Sequence, residues 1–267
     1  MTKVEPLDAR TLIGELAPTS LGRPLFVLDV AGSTMDEARR LWNAGAPWGT
    51  VVVATSQVEG RGRRGRRFVS PPGGLYLTVL TEPCGPPAIA WRSGFAAALA
   101  ARQAILDRNG PAVGFEWPND LVLHDKKIGG VLAEWFSGRS AGVAAVAIGI
   151  GLNLGPDPRE VDASGAGPAG AIHLAGTGNG RELVAASLLG RMAHYIQSVR
   201  TEPGWLDVLQ SLRAIMLRRR DQHVALRLAN GSRVEGTPLD LKADGTLVLR
   251  DADGRVIEVR HAERWID

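Results

Sequence analysis

The segment Gly60-Arg61-Gly62-Arg63-Arg64-Gly65-Arg66-Arg67 sets five arginines and three glycines in eight consecutive residues. Guanidinium groups stay charged at any physiological pH, repel one another at this density, and take phosphate oxygens in bidentate pairs. Glycine lets the backbone approach an anion closely and reach dihedrals that other residues avoid. The segment therefore predicts a flexible, strongly cationic phosphate-binding loop, with a solvated basic loop as the bland alternative. Gly60, Gly62 and Gly65 also match G-x-G-x-x-G, the dinucleotide pattern. That pattern carries meaning only where a helix follows at once and turns its N-terminus to the pyrophosphate. Phe68-Val69-Ser70-Pro71-Pro72-Gly73-Gly74 follows here and breaks helices, so a nicotinamide or flavin site is rejected.

A second constellation reads Phe115-Glu116-Trp117-Pro118-Asn119-Asp120-Leu121, then Lys126-Lys127-Ile128-Gly129-Gly130-Val131, with Gly149-Ile150-Gly151-Leu152-Asn153 downstream. Ser33-Thr34 and Gln57 precede the arginine loop. In this order and at these spacings, from about residue 30 to residue 153, the chain resembles the biotin protein ligases. Gly-Ile-Gly alone is weak; the arginine loop combined with Trp-Pro-Asn-Asp and the lysine–glycine strand is specific.

The resemblance implies an α+β fold: a mixed β-sheet flanked by helices, of the class II synthetase-like biotin/lipoate ligase type, with a small C-terminal SH3-like β-barrel. It also implies ATP-dependent formation of biotinyl-5'-AMP and transfer of biotin to a lysine of a biotin carboxyl carrier domain, in acetyl-CoA carboxylase or a related carboxylase. A carboxylate is a poor electrophile, and adenylation activates it against charge repulsion from the triphosphate. Fixed cations and Mg²⁺ brought in with ATP would supply much of that catalysis.

On the family's pattern, Arg63 would orient the biotin carboxylate and the phosphate and retain the adenylate. Lys127 would face the carboxyl–phosphate junction; without the resemblance it reads as an exposed hairpin lysine. Asp120 would receive or steer the target lysine, although a turn aspartate that caps backbone is common. Ser33, Thr34 and Gln57 would bind the ureido ring of biotin. Helix capping by Ser33 or Thr34 is compatible with that role, since a hydroxyl donates once and accepts twice. Gly60, Arg61, Gly73, Gly74, Gly129 and Gly130 would complete the biotin side, the last two as a strand crossed closely by ligand. Trp117 would line the cavity, with core packing as its alternative. Arg66, Phe68, Asn119 and Asn153 would serve the nucleotide.

Two positions depart from the pattern. Phe68 stands where a tryptophan is usual, a mild change. Glu116 stands where the family has lysine, a charge reversal worth several kcal/mol at about 5 Å from a phosphate. Either Glu116 points elsewhere, or Arg64 or Arg67 compensates, or ATP handling is impaired.

The elements that must position these groups can be read from patterning. Residues 1–24 are a lead-in, too short for a DNA-binding domain. Thr34-x-x-Glu37 gives a capping box before a helix over 35–43. Val51–Thr55 and Leu75–Thr81 read as strands entering and leaving the arginine loop, and apolar spacing predicts a helix over 88–109. Strands follow at 121–123, 127–135 and 143–154, then a mobile Gly/Pro/Ala-rich loop over 155–180 and helices over 181–199 and 204–217. Arg218-Arg219-Arg220 marks a boundary between a catalytic domain, 1–218, and a small β domain, 219–267. There, Asn230-Gly231, Asp244-Gly245 and Asp253-Gly254 supply the positive φ angles of tight hairpins.

Composition narrows the class. The 267 residues are 45% hydrophobic and 22% charged, ordinary for a globular protein, and allow a large domain with a small one. Net charge is only +3 despite a pI near 9.4, so the positive charge is local, which suits a small phosphate-bearing ligand. Cys84 is alone, excluding an internal disulfide, and His124, His173, His194, His223 and His261 lack metal-ligand spacing. With no spanning segment or signal peptide, a cytoplasmic protein is expected, without membrane or specific DNA partners, and with a homodimer open. Competing readings are a non-catalytic biotin or adenylate sensor, a lipoate-type ligase, and a nucleic-acid module. The last has few aromatic residues beside its basic clusters and no helix with a basic stripe.

Overall fold

Apolar runs between Gly- and Pro-containing turns become strands, and seven of them share one sheet. The structure is a computed structural model describing residues 5–18, 21–138, 143–155, 170–172, 180–216, 222–228, 230–262 and 264–265. The strands are β1 (Leu25–Ala31), β2 (Val51–Gln57), β3 (Leu75–Thr81), β4 (Gly114–Glu116), β5 (Asp120–Leu123), β6 (Lys126–Ser137) and β7 (Ala144–Leu152). Their order across the sheet is β1-β2-β3-β7-β6-β5-β4. After α1 (Ala9–Glu15), helix α2 (Thr34–Ala44) forms the crossover between β1 and β2, which pair in parallel. Every other neighbouring pair is antiparallel.

Helix α2 covers one face, where Met35, Ala38 and Trp42 pack with Val52, Leu80, Phe136 and Ala147. The opposite face carries α3 (Trp91–Leu106), α4 (Gly180–Ser198) and α5 (Glu202–Ile215). Six alanines of α3, from Ala96 to Ala104, are fully buried. Their small side chains let the helix settle close to the sheet: a Cβ added at Gly94 would stand 3.4 Å from that of Ala133. The C-terminus of α3 is tied to α4 by Asp107, which accepts from Arg191 Nε and Nη2 at 2.9 and 2.8 Å and from Ser187 at 2.6 Å.

Several expectations shift. The capping box is absent. Ser33, not Thr34, is the N-cap residue of α2, and its side chain makes no cap bond. The Thr34 amide donates instead to Gln57 Oε1 at 2.8 Å, so a glutamine from β2 caps the helix, while Glu37 pairs with Arg40. The strand over 143–154 ends at Leu152, and β4 was not anticipated because three residues carry no readable period. Most of 155–180, expected to be a mobile loop, lies outside the described residues, as does the 217–221 boundary. Gly170 and Ile172 are held, donating to the carbonyls of Lys127 at 2.9 Å and Asn153 at 2.8 Å.

The C-terminal strands β8 (Val224–Arg227), β9 (Arg233–Leu241), β10 (Leu247–Arg250), β11 (Val256–Val259) and β12 (Arg264–Trp265) form a separate antiparallel sheet, ordered β11-β10-β9-β8-β12. No recorded pairing of β11 with β12 closes it into the expected barrel among the described residues. Its three Asx-Gly turns share one geometry. Gly231, Gly245 and Gly254 have φ of 82°, 80° and 79° and donate to Leu228, Lys242 and Asp251. The preceding Asn or Asp keeps negative φ, so these are three-residue turns ending in a left-handed glycine rather than two-residue hairpins.

The segment Leu241–Gly245 is gripped by Trp117 and by two residues of α5. Trp117 Nε1 donates to the Gly245 carbonyl at 3.0 Å, Trp205 Nε1 to Ala243 at 2.9 Å, and Arg213 Nε to Leu241 at 2.8 Å. The Trp91 ring lies against Gly245, where an added Cβ would come within 3.0 Å of it.

Gly245→Ala therefore meets both a left-handed φ and the Trp91 ring, and urea unfolding is expected to record a loss of about 1–3 kcal/mol. Hydrogen bonds from Arg191 lead the causes that hold Asp107 down to about 2 from its usual 3.8. A depressed carboxylate stabilises the fold above its unfolded pKa and loses that contribution as pH falls through the folded value. Asp107→Asn should lower the urea midpoint at pH 7, and the gap to wild type should shrink as pH falls from about 4 towards 2.

Candidate active site

The arginine loop is a folded hairpin rather than an open tract. Arg61 and Arg67 bridge in antiparallel fashion, Gly62 donates to the Arg66 carbonyl at 2.7 Å, and Phe68 donates to Gly60 at 2.8 Å. At its tip Arg64 and Gly65 are left-handed, with φ of 58° and 72°. Glycine takes that conformation freely; arginine does so at a cost of about 1 kcal/mol. The arginines diverge. Arg61 forms an ion pair with Asp36 on α2, anchoring the loop to the helix. Arg63 turns inward, and its Nη1 donates to Asn119 Oδ1 at 3.4 Å. Burial lowers the Arg63 pKa first and repulsion from Arg64 lowers it further, against the attraction of Asp120.

Asp120 is where the second cation arrives. Lys127 Nζ lies 2.8 Å from Asp120 Oδ1, with both side chains about three-quarters buried (26% and 23% exposed). Asp120 opens β5 opposite Gly130 on β6, and a Cβ at Gly130 would come within 3.2 Å of Asp120 Oδ1. Gly130 thus leaves room for the carboxylate to meet Lys127. Gly129 has another cause: its Cβ would lie 2.5 Å from the Gly151 carbonyl on β7. Close approach of the strands by itself requires glycine there.

Polar groups beside the loop form one chain. Thr78 donates to Thr34 at 2.9 Å, Thr34 to Gln57 Oε1 at 3.1 Å, and Gln57 Nε2 to Ser70 at 2.8 Å. Ser70 in turn donates to the Phe68 carbonyl at 3.0 Å. Gly60 must be side-chain-free for this chain to exist, since its Cβ would lie 2.3 Å from the Phe68 carbonyl and 2.6 Å from Ser70 Oγ. Gly73 and Gly74 are buried beside it, Gly74 against the Tyr76 hydroxyl, which donates to Pro71 at 2.8 Å. Phe68 lies over Gly151, where a Cβ would come within 2.4 Å of the ring, and Lys127 Nζ is 5.9 Å from its centroid. Ser70 and Thr78 were not singled out as site residues from the sequence. A threonine within the otherwise apolar β3 was the available signal for Thr78.

Both candidate asparagines are engaged. Asn119 donates through Nδ2 to the Val131 carbonyl at 3.0 Å and accepts at its carbonyl from the Val131 amide at 2.9 Å. Asn153, 4% exposed, donates to the Gly170 carbonyl at 2.8 Å, and its Oδ1 is buried without a hydrogen-bond partner among the described residues. An amide oxygen left so is expensive unless a donor arrives. Trp117 shows the core packing that was its alternative reading, and it lines the cavity between the sheets. It is 2% exposed, donates to Gly245, and accepts at its carbonyl from Trp265 Nε1 at 2.6 Å, so it packs between the sheets. Glu116 stands opposite Asp120 across the antiparallel β4–β5 pair. It lines an inter-sheet cavity with Phe115, Val122, Asp125, Pro238 and Trp265, whose lining includes none of Arg63, Asn119, Asp120 or Lys127. Ser33 is buried and Arg66 contributes its carbonyl to the loop.

Residues 27–153 match the Biotin/lipoate A/B protein ligase family. Over 117 residues the chain is 43% identical to the biotin–[acetyl-CoA-carboxylase] ligase of Paracoccus denitrificans, covering 43% of this chain and 47% of that protein. It thus spans about half the length of that relative. The enzyme of the same description from Mycobacterium tuberculosis is 30% identical over 264 residues, 95% of this chain and 93% of its own length. The solved biotin protein ligase of Aquifex aeolicus, in complex with biotin and ATP, shares the fold with a TM-score of 0.70 at 23% identity, covering 91% of this chain and 97% of its own. With near full-length similarity added to a matching motif region, the chain belongs to the biotin protein ligases within the biotin/lipoate A/B protein ligase family.

Proposed function

We propose that this protein is an ATP-dependent biotin–protein ligase. The observation that carries the reading is the convergence of Arg63 and Lys127 on Asp120, next to a glycine-rich loop. The biotin carboxylate attacks the α-phosphorus of ATP, a P–O bond to pyrophosphate breaks, and biotinyl-5'-AMP forms. Arg63 and Lys127 neutralise the carboxylate and the α-phosphate as charge builds, and their partial burial strengthens that effect. Lys127 must leave Asp120 to do so, an exchange of one anion for another. A neutral lysine amine of the carrier domain then attacks the acyl carbon, AMP departs with the bonding pair, and the amine loses a proton. Asp120, released by Lys127, is placed to steer or accept that proton.

Thr34 and Gln57, with Ser33, Gly60, Arg61, Gly73 and Gly74 around them, are proposed for the biotin ring. Phe68, Asn119 and the donor-seeking Asn153 Oδ1 are proposed for the nucleotide, with Arg66 in support. Mg²⁺ would enter with ATP: among the described residues no three of His, Cys, Asp and Glu converge as a protein-only metal cage, and Mg²⁺ is held largely by phosphates in such sites. The acceptor is proposed to be a biotin carboxyl carrier domain of acetyl-CoA carboxylase or a related carboxylase. A division at 218/219 is supported by two sheets that share no strand. Among the described residues, no helix is long and apolar enough to cross a membrane, and a cytoplasmic location is proposed.

Biotin-dependent exchange of labelled pyrophosphate into ATP should be present, and streptavidin should detect the modified carrier domain. A chain that binds biotin in calorimetry yet gives neither signal would sink the ligase reading. Lys127→Ala should slow exchange by roughly a hundredfold or more, through loss of transition-state charge stabilisation. Arg63→Gly should release the adenylate, raising biotinylation of unrelated lysines on added albumin. Unchanged albumin labelling would remove Arg63 from its assigned role.

A further inference from the structure

We infer that Trp265, on the last strand of the C-terminal sheet, is a positioning residue for Asn119 and Asp120. The tie is short and direct. Trp265 Nε1 donates to the Trp117 carbonyl at 2.6 Å, and Trp117 Nε1 donates to the Gly245 carbonyl at 3.0 Å. Trp117 is therefore held at both its backbone and its ring by the C-terminal sheet. Three residues later the chain delivers Asp120 to Lys127.

The turn from Trp117 to Asp120 is fastened on two sides. Its far side is fastened by Asn119, which exchanges bonds with both backbone groups of Val131 on β6. Its near side is fastened by Trp265. The Asp120 carboxylate thus sits between a clamp from its own sheet and a clamp from the other. Removing the indole N–H leaves the Trp117 carbonyl without that donor, and such a carbonyl turns to find another partner. Small displacements of reacting groups reduce turnover steeply.

Trp205 supplies an internal control. It also donates an indole N–H across the junction, to Ala243 at 2.9 Å, and is fully buried, but it bonds to the hairpin turn and not to the Trp117–Asp120 segment. A merely structural junction predicts that Trp205 and Trp265 matter alike. A positioning role predicts that they do not.

The test compares Trp265→Phe and Trp205→Phe in the full chain. Trp265→Phe should lower pyrophosphate-exchange turnover at saturating ATP and biotin by about tenfold and leave the KM for biotin within about twofold. Trp205→Phe should keep turnover within about twofold even where its thermal midpoint falls as far. Equal turnover in the two variants overturns the inference. The activity arm rests on the ligase reading, so a second reading is independent of it. Hydrogen exchange at the Val131 amide should speed up in Trp265→Phe by about tenfold or more and stay at the wild-type rate in Trp205→Phe. If wild type shows no pyrophosphate exchange, the ligase reading fails, and the Val131 amide alone decides the tether. Should Trp265→Phe not fold, wild type still discriminates. The Trp265 indole and the Val131 amide should exchange at one rate with one urea dependence, and different urea dependences would refute the coupling.

Discussion

Arg63 from the loop and Lys127 from β6 approach one carboxylate, that of Asp120, and the neighbouring elements serve that meeting. Like charges repel more strongly as water is excluded, so two cations share a partly buried cleft only around an anion. Asp120 is that anion in the free protein. A phosphate or an incoming carboxylate competes for the same cations, and the energy spent separating Lys127 from Asp120 is recovered in the new contact. Holding the cations ready and giving them a stand-in partner are consequences of one arrangement.

The loop can present Arg63 because its remaining parts are committed elsewhere. Arg61 is engaged by Asp36, the backbone is closed by Gly62 and Phe68, and Phe68 rests over Gly151. Gln57 joins this to the helix behind it. One amide side chain accepts from the α2 terminus and donates towards the loop exit through Ser70. Displacing Gln57 would disturb the helix start and the loop together, which makes the recognition side of the cleft and its cationic side parts of one network.

The C-terminal sheet is attached through indole N–H groups and a glycine turn. Each of Trp117, Trp205 and Trp265 donates once into a carbonyl at the junction, while Trp91 occupies the space a side chain at Gly245 would need. An indole combines a large apolar face with one directional donor, so such a junction is both well buried and fixed in orientation. Glu116 lines the cavity between the sheets.

Much of this was legible in residue order. The arginine loop, Trp-Pro-Asn-Asp and the lysine–glycine strand located the cleft, and β3 ran over the residues its apolar run predicted, Leu75–Thr81. These signals are local: a turn, a run or a charge cluster is written in neighbouring residues. The sequence could not reveal that Gln57 caps α2, that Gly129 answers to a neighbouring strand while Gly130 answers to Asp120, or that Trp117 is bonded at both ring and backbone to the C-terminal sheet. Each depends on which distant atom lies a few ångströms from a side chain, and packing of the completed sheets decides that. Local pattern determined the elements and the chemical groups they carry; tertiary contact alone decided which of those groups face one another.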